Sequence, residues 1–220
     1  HMDKLIGRHK EQLILKNCLE SGRSEFVVIY GRRRIGKTFL VRRFFNDTYD
    51  FSFVGKHEMP REQQLADFAK TLQRYSSSEF TPELKNWTQA FDGLAKLLEA
   101  KDTSRKKVIF FDEMPWMDTP KSDFVSSLEN FWNGWAAMRD DIVFVACGSA
   151  TSWMIDSLLH NQGGLFNRIT RKIYLRPFRL YEVEQYMDEH HFNWSRYQIA
   201  QCYMILGGVP FYLTLLNPHM

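Results

Sequence analysis

Cysteine is scarce in this 220-residue chain: Cys18, Cys147 and Cys202 stand far apart, and none belongs to a C-x-x-C pair. That excludes a disulfide framework and a cysteine-built metal centre, and so sparse and odd a set suits a reducing cytosol. Cys147 lies in an apolar run and reads as a buried small hydrophobe. The seven histidines include no H-E-x-x-H pair, and His190-His191 reads as the exposed end of a helix. No apolar run approaches the ~20 residues that cross a bilayer, and no signal peptide is present, so no membrane partner is expected. The sequons at Asn46, Asn86 and Asn193 are then idle. Repeats and low-complexity segments are missing too. Charge of one sign is lacking: 29 basic against 26 acidic residues leave a net +3, too mild to diagnose a nucleic-acid binder. The basic clusters Arg32-Arg33-Arg34, Arg42-Arg43 and Arg105-Lys106-Lys107 read as solvated faces or loops.

What is present is apolar and patterned. With 44% hydrophobic and 15% aromatic residues the chain can bury a proper core. Phe26–Tyr30, Phe51–Val54, Val108–Phe111, Ile142–Cys147 and Lys172–Leu175 read as strands, the longer ones near-continuous in apolar residues as strands buried on both faces are. Helices are expected over Arg8–Leu19, with Leu13, Leu15 and Leu19 among the apolar positions, and over Thr38–Phe45, Arg61–Tyr75, Leu84–Ala100, Phe124–Met138 and Ser152–Leu159. After Pro177 only helices follow, at Tyr181–Glu189, Arg196–Leu206 and Val209–Leu216. Strands alternating with helices predict an α/β fold, a three-layer sandwich around a five-stranded, mainly parallel sheet. Residues 1–177 would form that domain and 178–220 a small helical subdomain. The chain stops at Asn217-Pro218-His219-Met220 directly after an apolar helix, which gives the expectation that it is a fragment of a longer protein.

The run Phe26 to Thr38 is a buried-type strand flowing into Gly31-x-x-x-x-Gly36-Lys37-Thr38, the P-loop pattern. Its glycines let backbone N–H groups approach phosphate oxygens, Lys37 brings a flexible charge to the β- and γ-phosphates, and Thr38 offers a hydroxyl to Mg²⁺. The helix that follows adds the positive end of its dipole. Gly31, Arg32, Arg33, Arg34, Ile35, Gly36, Lys37, Thr38 and Phe39 are therefore the expected nucleotide-binding stretch.

Val108-Ile109-Phe110-Phe111-Asp112-Glu113 ends a second buried strand in two acids. Asp112 can hold Mg²⁺ beside Thr38. Glu113, pointing elsewhere because strand side chains alternate, would serve as general base for the attacking water. A third strand delivers Ser149, whose hydroxyl would meet the γ-phosphate or the water at the strand's C-terminal end; capping of the next helix is the other role open to it. Arg168, just before the fifth strand, is a candidate for stabilising transition-state charge, although arginines before strands are ordinary.

Taken in order, these motifs resemble the archaeal-type ATPases of the STAND group, within the AAA+ and related P-loop NTPases. The matching residues are Ile6-Gly7-Arg8 with Glu11, Tyr30 to Thr38, Phe110 to Pro115, Cys147-Gly148-Ser149, Asn167-Arg168 leading to Leu175-Arg176-Pro177-Phe178, and Gly207-Gly208-Val209-Pro210-Phe211-Tyr212-Leu213. The triple-arginine P-loop and the Gly-Gly-x-Pro are the most specific parts, and Trp116 stands where the family more often has tyrosine. The resemblance implies that Ser149 is a sensor residue and Arg168 an arginine-finger-like residue, acting in its own chain or on a neighbour's nucleotide. It places Ile6, Gly7 and Arg8 near the adenine, and sets Gly207–Pro210, Pro210 included, against the nucleotide. It further implies a winged-helix region and a nuclease-like domain beyond this chain, through which nucleic acid would be met.

The expectation is thus a cytoplasmic, Mg²⁺-dependent ATPase that takes ATP and ADP and acts as a nucleotide-controlled switch, with self-association if Arg168 acts between copies. Two alternatives stay open: a P-loop kinase for a small molecule, and a non-hydrolysing nucleotide binder or DNA-associated scaffold using aromatics such as Trp87 and Trp135. A GTPase is disfavoured, because no N-K-x-D guanine-reading sequence occurs.

Overall fold

The structure, a computed structural model, describes residues 7–102, 104–160, 165 and 167–216. In chain order the elements are α1 (His9–Glu20), β1 (Glu25–Tyr30), α2 (Lys37–Phe44), β2 (Phe51–Val54), α3 (Arg61–Ser76), α4 (Trp87–Glu99) and β3 (Lys107–Asp112). After a 3₁₀ turn at Met114–Met117 come α5 (Phe124–Gly134), β4 (Ile142–Gly148), α6 (Thr151–Trp153), β5 (Arg171–Tyr174), α7 (Leu180–Glu189), α8 (Arg196–Leu206) and α9 (Pro210–Leu213). The strands form one sheet in the order β2-β3-β4-β1-β5, and every ladder in it is parallel.

Alternation explains why the central strands read as unbroken apolar runs. Phe26, Val28, Ile109, Phe111, Phe144 and Ala146 enter a core under α3, α4 and α5. Their neighbours Val27, Ile29, Val108, Phe110, Val143 and Val145 enter a second core under α1 and α2. Each strand is therefore buried on both faces, and the result is the expected three-layer α/β arrangement. A third cluster, around Phe178, Val183, Met187, Ile199 and Leu213, holds α7, α8 and α9 together.

Several expectations are corrected in detail. Leu13 and Leu19 are exposed, and α1 instead buries Leu15 and Cys18. The helix expected over 124–138 stops at Gly134 and gives way to a 3₁₀ turn at Ala136–Met138. That over 152–159 winds as a π-helix from Met154 to Leu159. The last helix is a single turn, Pro210–Leu213. Trp87 is wholly buried, with Phe68 and Phe124 against its ring, and Trp135 donates Nε1–H to Glu99 at 2.7 Å. Both are thus structural rather than stacking platforms.

Of Arg105-Lys106-Lys107, the first two lie in a loop as expected, with Arg105 exposed, but Lys107 does not face solvent. Lys107 is fully buried and pairs with Asp141 at 2.8 Å. Arg105 grips Asp50 through two bonds of 2.6 and 3.1 Å, and Lys106 donates to the Cys18 carbonyl at 2.8 Å. For Lys107, which has no access to water, burial makes such pairing obligatory.

Candidate nucleotide-binding site

At the C-terminal end of β1 the chain turns through Gly31 (φ 152°), Arg34 (φ 65°) and Gly36 (φ 96°) before α2 begins at Lys37. A side chain at Gly31 would put its Cβ 2.6 Å from the Leu175 carbonyl oxygen, so the loop fits against the strand β5 exit only with glycine there. Ile35 is buried in the core under α1 and α2 and anchors the loop, while Arg32, Arg33 and Arg34 are exposed around its rim and Phe39 lies partly open at 38%.

Lys37 is 6% exposed and donates to the carbonyls of Gly31 and Arg32 at 2.9 and 2.8 Å. Burial lowers its pKa, and the nearby charges of Glu113 and Asp112 work against that shift. The Thr38 hydroxyl donates to Asp112 Oδ2 at 2.8 Å, joining the first turn of α2 to the end of β3. Asp112 is buried at 7%. Burial raises its pKa, with the Thr38 hydrogen bond opposing and the Glu113 charge adding to the rise. Cys147 lies wholly buried beneath these charges, and burial pushes its thiol well above the ordinary value.

Glu113 is directed differently from the way the sequence suggested. It lies beyond the strand, in left-handed backbone (φ 50°, ψ 42°) at the head of the Met114–Met117 turn. A backbone turn therefore separates it from Asp112, where strand alternation had been expected to do so. Its amide donates to Asp112 Oδ1 at 2.9 Å, and its half-buried carboxylate has no hydrogen bond among the described residues.

Ser149 follows the end of β4, half-buried, and the helix after it is capped by Ala150 without a side-chain bond. The capping role is thus not the one Ser149 fills. The preceding Gly148 packs so tightly that a Cβ there would lie 2.6 Å from Pro115.

Arg168 is not brought to this cluster. It is exposed, three residues before β5, where Thr170 bonds to Phe26 at the start of β1. The P-loop is at the other end of that strand. Ile6 lies outside the described residues. Gly7 is buried and its carbonyl accepts from Gln12 at 2.8 Å.

Arg8 is buried and spans three parts of the molecule. Its guanidinium donates to Ile35 O in the P-loop at 3.2 Å and to Arg176 O at 2.6 Å, and lies 4.6 Å from the Phe178 ring centroid. Burial lowers its pKa, and Glu182 of α7 opposes the shift. Pro210 is half-buried, and the adjacent Val209 packs in the same cluster as Ile35. Glu182 escaped the sequence reading. Its Oε1 accepts from the Arg179 amide at 2.9 Å and Oε2 from the Arg8 amide at 3.4 Å. The only trace of it in sequence is an acid three residues into a helix, a common pattern.

Magnesium fits these residues. A hard, six-coordinate cation is commonly held by one or two carboxylates plus phosphate oxygens, and Asp112 with Thr38 offers such an oxygen pair beside a phosphate-type loop. No group of three or more His, Cys, Asp or Glu able to cage a metal occurs among the described residues. No helix among them is long and apolar enough to cross a membrane.

The profile of a family described as an ATPase domain predominantly from Archaea matches residues 5–216. The uncharacterized protein MJECL04 of Methanocaldococcus jannaschii is 24% identical over 213 residues, covering 94% of this chain and 43% of that protein. Among solved structures, the Walker-type ATPase PABY2304 of Pyrococcus abyssi superposes with a TM-score of 0.67 at 19% identity, covering 95% of this chain and 65% of the other. A STAND protein with a tetratricopeptide repeat sensor, PH0952 of Pyrococcus horikoshii, gives 0.55 at 20% identity, covering 96% and 29%. The chain thus spans less than half the length of the curated relative and under two thirds of each solved one.

Proposed function

Since the chain belongs to the family of ATPase domains found predominantly in Archaea, we propose that it binds ATP through Gly31–Phe39 and hydrolyses it with Mg²⁺. The observation that carries this reading is the 2.8 Å bond from Thr38 to Asp112, formed beside buried Lys37 and with the Glu113 carboxylate one residue on. Thr38 and Asp112 would hold the ion, which when bound neutralises phosphate charge. Lys37 exchanges its two loop carbonyls for phosphate oxygens. Glu113, whose carboxylate has no hydrogen bond among the described residues, accepts a proton from the attacking water, and Ser149 at the end of β4 contacts the γ-phosphate or that water.

Arg8 links the P-loop to the start of the helical segment 178–216, and Val209 packs beside Ile35. We read these contacts as the route by which nucleotide state sets the position of that segment, the adenine lying toward Gly7, Arg8 and Pro210. The likeness to a STAND protein supports a switch of this kind. Arg168, at the far end of the strands, is assigned a role only on the nucleotide of a second copy.

The test is phosphate release by the purified chain with ATP and Mg²⁺ and no added acceptor. Glu113→Gln should keep nucleotide binding and lose turnover; unchanged turnover would remove Glu113 as the base. ADP formation that requires a small-molecule acceptor and frees no inorganic phosphate would replace the ATPase with a kinase.

A further inference from the structure

Between Arg168 and Arg179 the chain carries five cations, Arg168, Arg171, Lys172, Arg176 and Arg179, and no acid. This stretch is the outer edge of the sheet, since β5 pairs with β1 alone. Arg171 is neutralised by Glu25 at 2.9 Å. Lys172, Arg176 and Arg179 instead line a concave cleft of about 540 Å³ whose opposite wall is α1, with Lys10. None of these four forms an ion pair among the described residues, and all four are exposed.

Two acids also line the cleft, Glu11 and Glu182, but Glu182 is already turned to the amides of Arg8 and Arg179. Two tyrosines open into it, Tyr174 at 49% and Tyr181 at 59% exposure. The Arg176 guanidinium lies 5.6 Å from the Tyr174 ring centroid.

Charge on an unpaired edge commonly serves to stop it pairing with another chain. That purpose accounts for Lys172. It does not account for Lys10 on α1, nor for Arg176 and Arg179 beyond the strand, all facing one cavity. A basic groove with exposed aromatic rings is how proteins hold single-stranded nucleic acid without reading its sequence, the charges following phosphates and the rings stacking on bases. The cleft has the size of a pocket for a small molecule, about 300–1,000 Å³, so unpaired bases of a single strand enter it while a duplex does not.

We propose that the cleft between α1, β5 and α7 binds single-stranded nucleic acid, with Lys10, Lys172, Arg176 and Arg179 on the phosphates and Tyr174 and Tyr181 against the bases. The cleft adjoins the nucleotide region at Arg8, which lines it and bonds to Ile35 O of the P-loop, but the residues assigned to the strand are others and the proposal does not rest on ATP hydrolysis.

The experiment is fluorescence anisotropy of a labelled 20-nucleotide oligothymidine with the full chain, titrated between 50 and 200 mM salt. Four phosphate contacts on a single strand give a log–log salt slope of about −2.8, a loss of about fiftyfold in affinity over that range. Lys10→Gln with Lys172→Gln removes one cation from each wall, and should bring the slope to about −1.4 and the loss to about sevenfold. Tyr181→Ala should weaken binding about tenfold at an unchanged slope, as expected for one stacked base. Binding of a fluorescent ADP analogue should be the same in all three proteins, showing that each is folded. The proposal is overturned by absent binding, by an affinity and slope unmoved in the double variant, or by tighter binding to duplex DNA or to anionic vesicles than to the single strand.

Discussion

The two ends of the parallel sheet use the same residue types in opposite ways. At the strand starts, carboxylates are matched to cations: Asp50 to Arg105 and Lys101, Asp141 to Lys107 and Arg139, Glu25 to Arg23 and Arg171. Desolvation pushes each of these acids up, but hydrogen bonds from the partners outweigh it and hold all three below their ordinary values. At the strand ends, burial prevails. Asp112 is raised and Lys37 lowered, their hydrogen bonds among the described residues going to a hydroxyl, an amide and two carbonyls rather than to an opposite charge. One end spends its charges on the fold. The other holds them incompletely compensated, the condition expected where a charged ligand completes the set.

This contrast can be broken at either end. The largest effect should come from Asp141→Ala, which strands the fully buried Lys107 ammonium; breaking a buried pair costs about 3–5 kcal/mol, and urea unfolding followed by circular dichroism reads it. A loss under about 1 kcal/mol, no more than an exposed pair is worth, would mean the strand starts are not held by charge. Next, Lys37→Ala should weaken ATP binding by at least about a hundredfold, some 3 kcal/mol, with the chain still folded; calorimetric titration measures it. Glu113→Gln should lower turnover by about a hundredfold, the lower end of what general-base catalysis contributes, while leaving nucleotide affinity in place.

The smallest effect is the most discriminating. A carboxyl whose folded pKa is raised costs the fold nothing when protonated in both states, and its cost grows as pH rises through the folded value. Asp112→Asn should therefore raise the melting temperature by a few degrees at pH 7, a change of about 1 kcal/mol, and the gain should vanish below about pH 3.9, the ordinary aspartate value. Asp50, Asp141 and Glu25 run the other way. Their contribution is present above about pH 4 and is lost as pH falls through their lowered values, so acid unfolding should begin at the strand starts. Equal pH profiles for Asp112→Asn and the unsubstituted chain would erase the distinction between the two ends.

The strands were legible because burial on both faces leaves a signature that needs no partner to be seen: Phe26–Tyr30 and Ile142–Cys147 contain almost nothing polar. The P-loop was legible because glycine, lysine and threonine are each required within a few residues of one another. Helix ends were less so. Gly134 breaks the helix expected through Met138, and Leu13 and Leu19 are apolar yet exposed. The roles of Arg105, Lys106 and Lys107 were hidden because their partners Asp50, Asp141 and the Cys18 carbonyl are distant in sequence. The same holds for Arg8, whose contacts lie at Ile35, Arg176, Phe178 and Glu182.

By itself the sequence determined the α/β layering, the phosphate loop and the acid pair, since each depends on residues adjacent along the chain. Tertiary structure decided which charges serve the fold and which stay available. It turned Glu113 through a left-handed residue, sent Arg168 to the far end of the strands, and gathered Lys10 and Lys172 around one cleft. The physical reason is that a charge's role depends on what stands within a few ångströms of it, and here those neighbours come from segments up to 174 residues apart.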